Sequence, residues 1–264
     1  MRVPYSADID RSNPTCFVFL IDQSASMQEH YAGAAGQSKA EALAYQMNNL
    51  LRNLIVRCAR GLEVMDYFYV AVIGYGNSID SVFNGLKPLS EINALARMVD
   101  QSDPLKGQEI MSQAWIDPIA NGMTPMCAAL KNAHGLVKEW VRGHPKCFPP
   151  IVINLTDGEA SDGDPVANAQ RLMQVESTDG GVLVFNGHLS VDAGSIIQFP
   201  VAADELPNNP YAHQLFEMSS VIPESMRDMA GFPIRRGARG MVFNSDLETV
   251  DSLLDFGTKT EQLP

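Results

Sequence analysis

The sequence has no run of about 18 or more uninterrupted apolar residues, the length a bilayer-spanning helix requires, so no segment reads as a transmembrane helix. Positive charge is also scarce: 19 Lys and Arg stand against 31 Asp and Glu, a formal charge of −12 at pH 7. Nucleic-acid binding draws its affinity largely from basic side chains on phosphates. The balance therefore argues against a nucleic-acid partner and favours a basic protein surface or a metal cation. Cysteine is rare too. Cys16, Cys58, Cys127 and Cys147 fall in separate segments, with no CxxC pair and no histidine at zinc-ligand spacing, which argues against a zinc site or a disulfide scaffold. They read as buried thiols. The first residues, Met1-Arg2-Val3-Pro4-Tyr5-Ser6-Ala7-Asp8, lack the apolar stretch of a secretory signal, so the expectation is a cytoplasmic protein with no membrane partner.

What is present is enough for a packed α/β domain: 264 residues, 45% of them hydrophobic, with no internal repeat. Residues 1–14 read as a polar N-terminal arm, 15–258 as a single domain with an irregular insertion around 201–235, and 259–264 as a tail. Ser38-x-x-Glu41 has the form of a capping box opening a helix to Cys58, with Gly61 placed to stop it. A small-residue loop, Tyr31 to Gly36, precedes it. Val64 to Gly74 and Ser78 to Phe83 form a hairpin whose second strand lies at the sheet edge. A short helix is expected at Ser90 to Val99, then an irregular stretch from Asp100 to Met123. Thr124-Pro125 reads as cap and first turn of a helix to about Arg142. Strands follow at Pro149 to Leu155, Val182 to His188, Ser195 to Pro200 and Gly240 to Phe243. Helices follow Asp164-Pro165, span Tyr211 to Met218 and Glu224 to Ala230, and close the chain behind Ser245-x-x-Glu248. This alternation predicts an α/β fold that is doubly wound: a mostly parallel central sheet with one antiparallel edge strand and helices on both faces. Such sheets bind ligands beyond the carboxyl ends of their strands.

Three segments bring oxygen donors to those ends. The apolar run Phe17-Val18-Phe19-Leu20-Ile21 leads into Asp22-x-Ser24-x-Ser26, and Ile151-Val152-Ile153-Asn154-Leu155 leads into Thr156-Asp157-Gly158. Between them, Asn121-Gly122-Met123-Thr124-Pro125 carries a hydroxyl able to face the same crevice. Hard cations such as Mg2+ take oxygen ligands and only one or two carboxylates. In this order, the set resembles the metal-ion-dependent adhesion site of the von Willebrand factor A (vWA) family, with all five positions present and Ala25 where the family often has glycine. The resemblance implies a Rossmann-like vWA fold, and metal coordination by Asp22, Ser24, Ser26, Thr124 and Asp157. It implies Mg2+ as the cofactor, with Mn2+ or Ca2+ as alternatives, and a partner protein that contributes an Asp or Glu to the ion. It is similar to bacterial cytosolic stand-alone vWA proteins associated with tellurium resistance. That likeness implies an adaptor in a stress or conflict-response complex with kinase, phosphatase or AAA+ ATPase components. Some members of the family shift their last helix on ligand binding, here Ser245 to Phe256.

Two other readings remain open. A metal-dependent hydrolase or phosphatase would use the ion to activate water, but needs a base nearby. The D-x-D pattern of one phosphatase class is broken by Ser24, Gly74-x-Gly76 lacks the rest of a phosphate loop, and His134 or His144 near Cys127 has no evident orienting partner. The expectation is therefore that the chain is not an enzyme. A structural subunit that uses the site for self-association is the other alternative. Glu159, Asp162 and Asp164 suggest a calcium loop but lack its spacing, and Arg235-Arg236-Gly237-Ala238-Arg239 is the one compact basic run, read as a solvated loop.

Overall fold

The computed structural model describes residues 4–31, 36–102, 109–190, 195–229 and 232–258. The expected tail at 259–264 and most of the small-residue loop, 32–35, lie outside them.

The first strand, β1 (Thr15–Asp22), is buried along its whole length, as a strand covered on both faces must be. Its period of two sorts the side chains. Phe17, Phe19 and Ile21 enter one core cluster, while Cys16, Val18 and Leu20 enter another on the opposite face. The same division runs through β2 (Phe68–Tyr75), β5 (Ile151–Thr156), β6 (Leu183–Leu189) and β8 (Met241–Ser245). These five strands pair in parallel in the order β8-β6-β5-β1-β2. Short antiparallel strands flank both ends. β3 (Ile79–Ser81) is the expected edge strand, β4 (Lys87–Pro88) pairs with the other end of β2, and β7 (Ile197–Gln198) lies along β8.

Helices α1 (Lys39–Cys58), α2 (Leu89–Ala94), α6 (Glu224–Met229) and α7 (Leu247–Thr258) contribute to the first cluster. Helices α3 (Met126–Gly143), α4 (Val166–Met173) and α5 (Pro210–Glu217) contribute to the second. The chain leaves β1 for β2 on one side and later returns to β5 on the other, so the topological switch falls between β1 and β5. Both carboxyl ends finish there, because Ile21 pairs with Leu155. Among the described residues no helix is long and apolar enough to cross a membrane.

The capping box of α1 is formed: Ser38 Oγ accepts the Glu41 N–H at 3.2 Å and the Glu41 carboxylate accepts the Ser38 N–H at 2.8 Å. Three local expectations are corrected. Thr124 does not cap α3 through its side chain; the helix begins at Met126, and the carboxylate of Asp162 accepts the N–H groups of Cys127 and Ala128, each at 2.9 Å. At α7 the cap is Asp246, which accepts the Thr249 N–H at 2.9 Å, while the Ser245 hydroxyl turns to the His188 carbonyl. The helix expected to reach Val99 ends at Ala94, and Arg97–Ser102 pairs with Glu109–Ala114 as an antiparallel ribbon outside the main sheet. That ribbon leaves Met98 61% and Met111 68% exposed, so it lacks the buried apolar alternation by which a half-covered strand is recognised.

Asn48 ties the segment after this ribbon to α1. Its side-chain oxygen accepts the N–H groups of Trp115 and Ile116 at 2.9 and 3.0 Å, and its amide donates to the Ile116 carbonyl at 3.0 Å. Asn48 is fully buried, and removing it orphans all three backbone groups. Asn48→Ala is expected to lower unfolding free energy by about 2–4 kcal/mol, measured by denaturant titration.

Candidate metal centre

Asp22 and Asp157 arrive at the switch from the ends of β1 and β5, and the loops between are knitted together. The Asn121 N–H donates to the Gln23 carbonyl at 2.6 Å, and the Ala25 N–H to the Gly122 carbonyl at 3.0 Å. Two glycines permit this approach. A Cβ on Gly76 would lie 2.5 Å from the Asn121 carbonyl oxygen, and one on Gly122, whose φ is +88°, would lie 2.5 Å from the Asn77 nitrogen. On the far side, Thr124 donates its N–H to Ser161 Oγ at 3.0 Å and accepts the Ser161 N–H at 2.9 Å.

Four of the five expected ligand residues form one hydrogen-bonded chain. Asp22 accepts the Ser24 N–H at 2.8 Å and the Thr156 hydroxyl at 2.7 Å. The hydroxyls of Ser24 and Ser26 are 3.0 Å apart, and Ser26 donates to Asp157 Oδ1 at 2.8 Å. Thr124 sits in the adjoining loop, and its hydroxyl makes no hydrogen bond among the described residues. Burial pushes the Asp22 carboxyl above the usual carboxylate range, against the hydrogen bonds from Ser24 and Thr156. No three His, Cys, Asp or Glu side chains converge on a metal-sized site among the described residues. The donors gathered here are two carboxylates and neutral hydroxyls, a hard-oxygen set that suits Mg2+ better than zinc.

The residue that motif reading missed is Lys39. Its ammonium lies 2.5 Å from Asp157 Oδ2 and 3.0 Å from Glu29 Oε2, and the residue is only 3% exposed. A signal was present: a lysine at the first position of a helix opposes the macrodipole, so something outside the helix must hold it there. A buried polar layer also lies beneath the site. Tyr75 donates to Asn154 at 2.7 Å, Asn154 to Asn186 at 3.1 Å, and Tyr211 reaches Thr156 Oγ1 at 3.4 Å. His188 is stacked on Phe243 with ring centroids 4.4 Å apart and accepts the Asn244 N–H. Burial takes its pKa down to about 4, so the ring is neutral at physiological pH.

Two of the three acids considered for a calcium loop have structural tasks. Asp162 caps α3, and Asp164 accepts the Val166 N–H at 3.0 Å. In the basic run, Arg235 pairs with Glu205, and Arg239 donates to the Ser219 carbonyl at 2.6 Å with its guanidinium over the Phe216 ring. Arg239 is thus an internal anchor rather than a solvated side chain.

No family model matches the sequence, and no curated protein does. Solved structures are similar to it at low identity. A variant of the PilB minor pilin from Streptococcus sanguinis matches with a TM-score of 0.51 and 10% identity, over 92% of this chain and 60% of that one. The conserved hypothetical protein BatB from Bacteroides thetaiotaomicron gives 0.44 and 13%, over 93% and 100%. The vWF domain of the type V pili tip protein Mfa5 from Porphyromonas gingivalis gives 0.32 and 12%, over 56% and 39%. The chain thus spans less than two thirds of the pilin and of the Mfa5 chain. Strand order, the parallel centre and helices on both faces define the class as a Rossmann-like, vWA-like α/β fold.

Cys127 shows how local charge overrides position. A helix N-terminus ordinarily lowers a thiol pKa, yet burial and the adjacent Asp162 carboxylate push this one up to about 11. At pH 8 the thiol is therefore protonated, and native protein is expected to alkylate at Cys127 only slowly, gaining rate as pH approaches 11. Asp162→Asn is expected to shift that profile to lower pH, read by iodoacetamide labelling and mass spectrometry of the native protein.

Proposed function

We propose that the chain is a protein-interaction module whose anchor is a divalent cation held by Asp22, Ser24, Ser26, Thr124 and Asp157. The observation that carries this reading is the continuous chain from Asp22 through Ser24 and Ser26 to Asp157, assembled from two strand ends that lie far apart in sequence. Asp22 and Asp157 supply the charge. Ser24, Ser26 and Thr124 supply neutral oxygens, which hold a cation without cancelling it further. The bound ion, Mg2+ with Mn2+ or Ca2+ as substitutes, would offer a coordination position to an Asp or Glu of a partner protein. Exposed Met123 and Ile119 beside the threonine loop give that partner apolar contact around the acidic anchor, since methionine suits adaptable surfaces.

The reading is non-catalytic. His188, with its pKa near 4, is a weak base whose Nδ1 already accepts the Asn244 N–H, and Cys127 is protonated, so neither is well placed as base or nucleophile. All four cysteines are free and buried, which favours a reducing intracellular setting. An adaptor role in a bacterial stress-response complex with kinase, phosphatase or AAA+ ATPase partners rests on the motif resemblance.

Calorimetric titration with Mn2+ tests the site directly. Wild type is expected to bind at a single site, Ser26→Ala to bind about tenfold more weakly or worse, and Asp157→Asn not to bind. Affinity capture from native extract in Mg2+ or EDTA then tests the module. A partner retained by wild type in Mg2+ and lost both in EDTA and with Asp157→Asn supports the bridged mechanism, whereas equal retention in every arm would refute it.

A further inference from the structure

The metal-site reading leaves Lys39 unexplained. Two backbone bonds hold the residues before it in place: the Tyr31 N–H donates to the Gln37 carbonyl at 3.0 Å, and the Lys39 N–H to the Glu29 carbonyl at 2.9 Å. This arrangement delivers the ammonium to Asp157 Oδ2 at 2.5 Å, while Ser26 occupies Oδ1 at 2.8 Å. The lysine side chain is 4% exposed. Lysines are almost never buried to this degree unless paired, and nothing in the helix rewards a cation at its first turn.

We infer that Lys39 is a tethered counter-cation that competes with the divalent ion for Asp157. It holds the site folded when no ion is present and lowers the site's affinity for one. The inference rests on the metal-site reading above, and it concerns how tightly that site is set. Without Lys39, the two carboxylates would cancel a divalent cation completely and leave no net attraction for a partner carboxylate. Among the buried groups Lys39 neutralises Asp157 and the loaded site keeps a positive charge, which the exposed Glu29, screened by solvent, offsets only in part, so affinity for the ion is traded for attraction toward the acidic anchor. Glu29, whose carboxylate is 60% exposed, fixes the ammonium from the solvent side.

The test compares wild type, Lys39→Met, Lys39→Gln and Asp157→Asn, with Mn2+ affinity from calorimetry and Tm measured in EDTA and in Mn2+. Lys39→Gln keeps a hydrogen-bond donor near Asp157 while removing the charge, so it guards against a packing failure in Lys39→Met. Both neutral variants are expected to bind Mn2+ about tenfold tighter or more than wild type, because a like charge beside the ion is gone. Both should melt lower than wild type in EDTA and show a larger rise with Mn2+. A purely structural lysine would lower the EDTA Tm and leave Mn2+ affinity where it was. Mn2+ bound by wild type, lost in Asp157→Asn and no tighter in either neutral variant overturns the role of Lys39 and leaves the metal site standing. Mn2+ bound by the neutral variants alone overturns the wild-type metal site and supports Lys39 as the resident cation. No binding by any variant overturns both.

Discussion

Two carboxylates at the carboxyl ends of neighbouring parallel strands cannot be left to themselves, and much of this structure answers that constraint. Asp22 is buried, and Asp157 has its side chain fully enclosed. An isolated buried charge is so costly that it must be paired, hydrogen-bonded or protonated. Each of the four oxygens accordingly has a donor: the Ser24 N–H, the Thr156 hydroxyl, the Ser26 hydroxyl and the Lys39 ammonium. The same donors come from three separate segments, so satisfying the acids also fixes how the loops at this end of the sheet lie. The arrangement is held by donors of the protein itself.

What the sequence discloses follows from which signals are local. β1 and β5 are legible because strands buried on both faces are near-continuous apolar runs, interrupted before the motif in β5 only by Asn154, and each motif sits where its run stops. The capping box of α1 is legible because both partners lie within four residues. The three corrected features share the opposite property. Asp162 caps a helix that starts 36 positions before it, and Asp246 takes over from a serine whose hydroxyl is drawn to His188, a partner on another strand. The ribbon of Arg97–Ser102 and Glu109–Ala114 holds its register through backbone pairing, and its exposed Met98 and Met111 carry little pattern. Lys39 belongs to the same group: its partners lie 118 and 10 positions away. Only its unfavourable place on the helix dipole was visible locally.

The stretch that reads as an irregular insertion is tied to the site through the sheet's second face. α5 lies within it, and Tyr211, Ala212, Leu215 and Phe216 are buried in the cluster that α3 and α4 also fill. Arg239, just beyond it, secures Phe216 and the Ser219 carbonyl. Through this packing the Tyr211 hydroxyl reaches Thr156, which in turn donates to Asp22. Ser219 meanwhile accepts from Asn186, which accepts from Asn154, which accepts from Tyr75. Burying so many polar groups in the middle of a sheet face is tolerable only when each finds a partner, and a network satisfied in that way admits few alternative registers. A one-residue slip of β5 would send Asn154 and Thr156 to the opposite face, against the apolar side chains of α1 and α7, and break the bonds these two residues make to Tyr75, Asn186, Tyr211 and Asp22. The register that satisfies the asparagines is therefore the register that sets Ile21 beside Leu155 and brings Asp22 and Asp157 to the same end of the sheet. The polar centre of the sheet and the acidic pair at its end specify the same pairing.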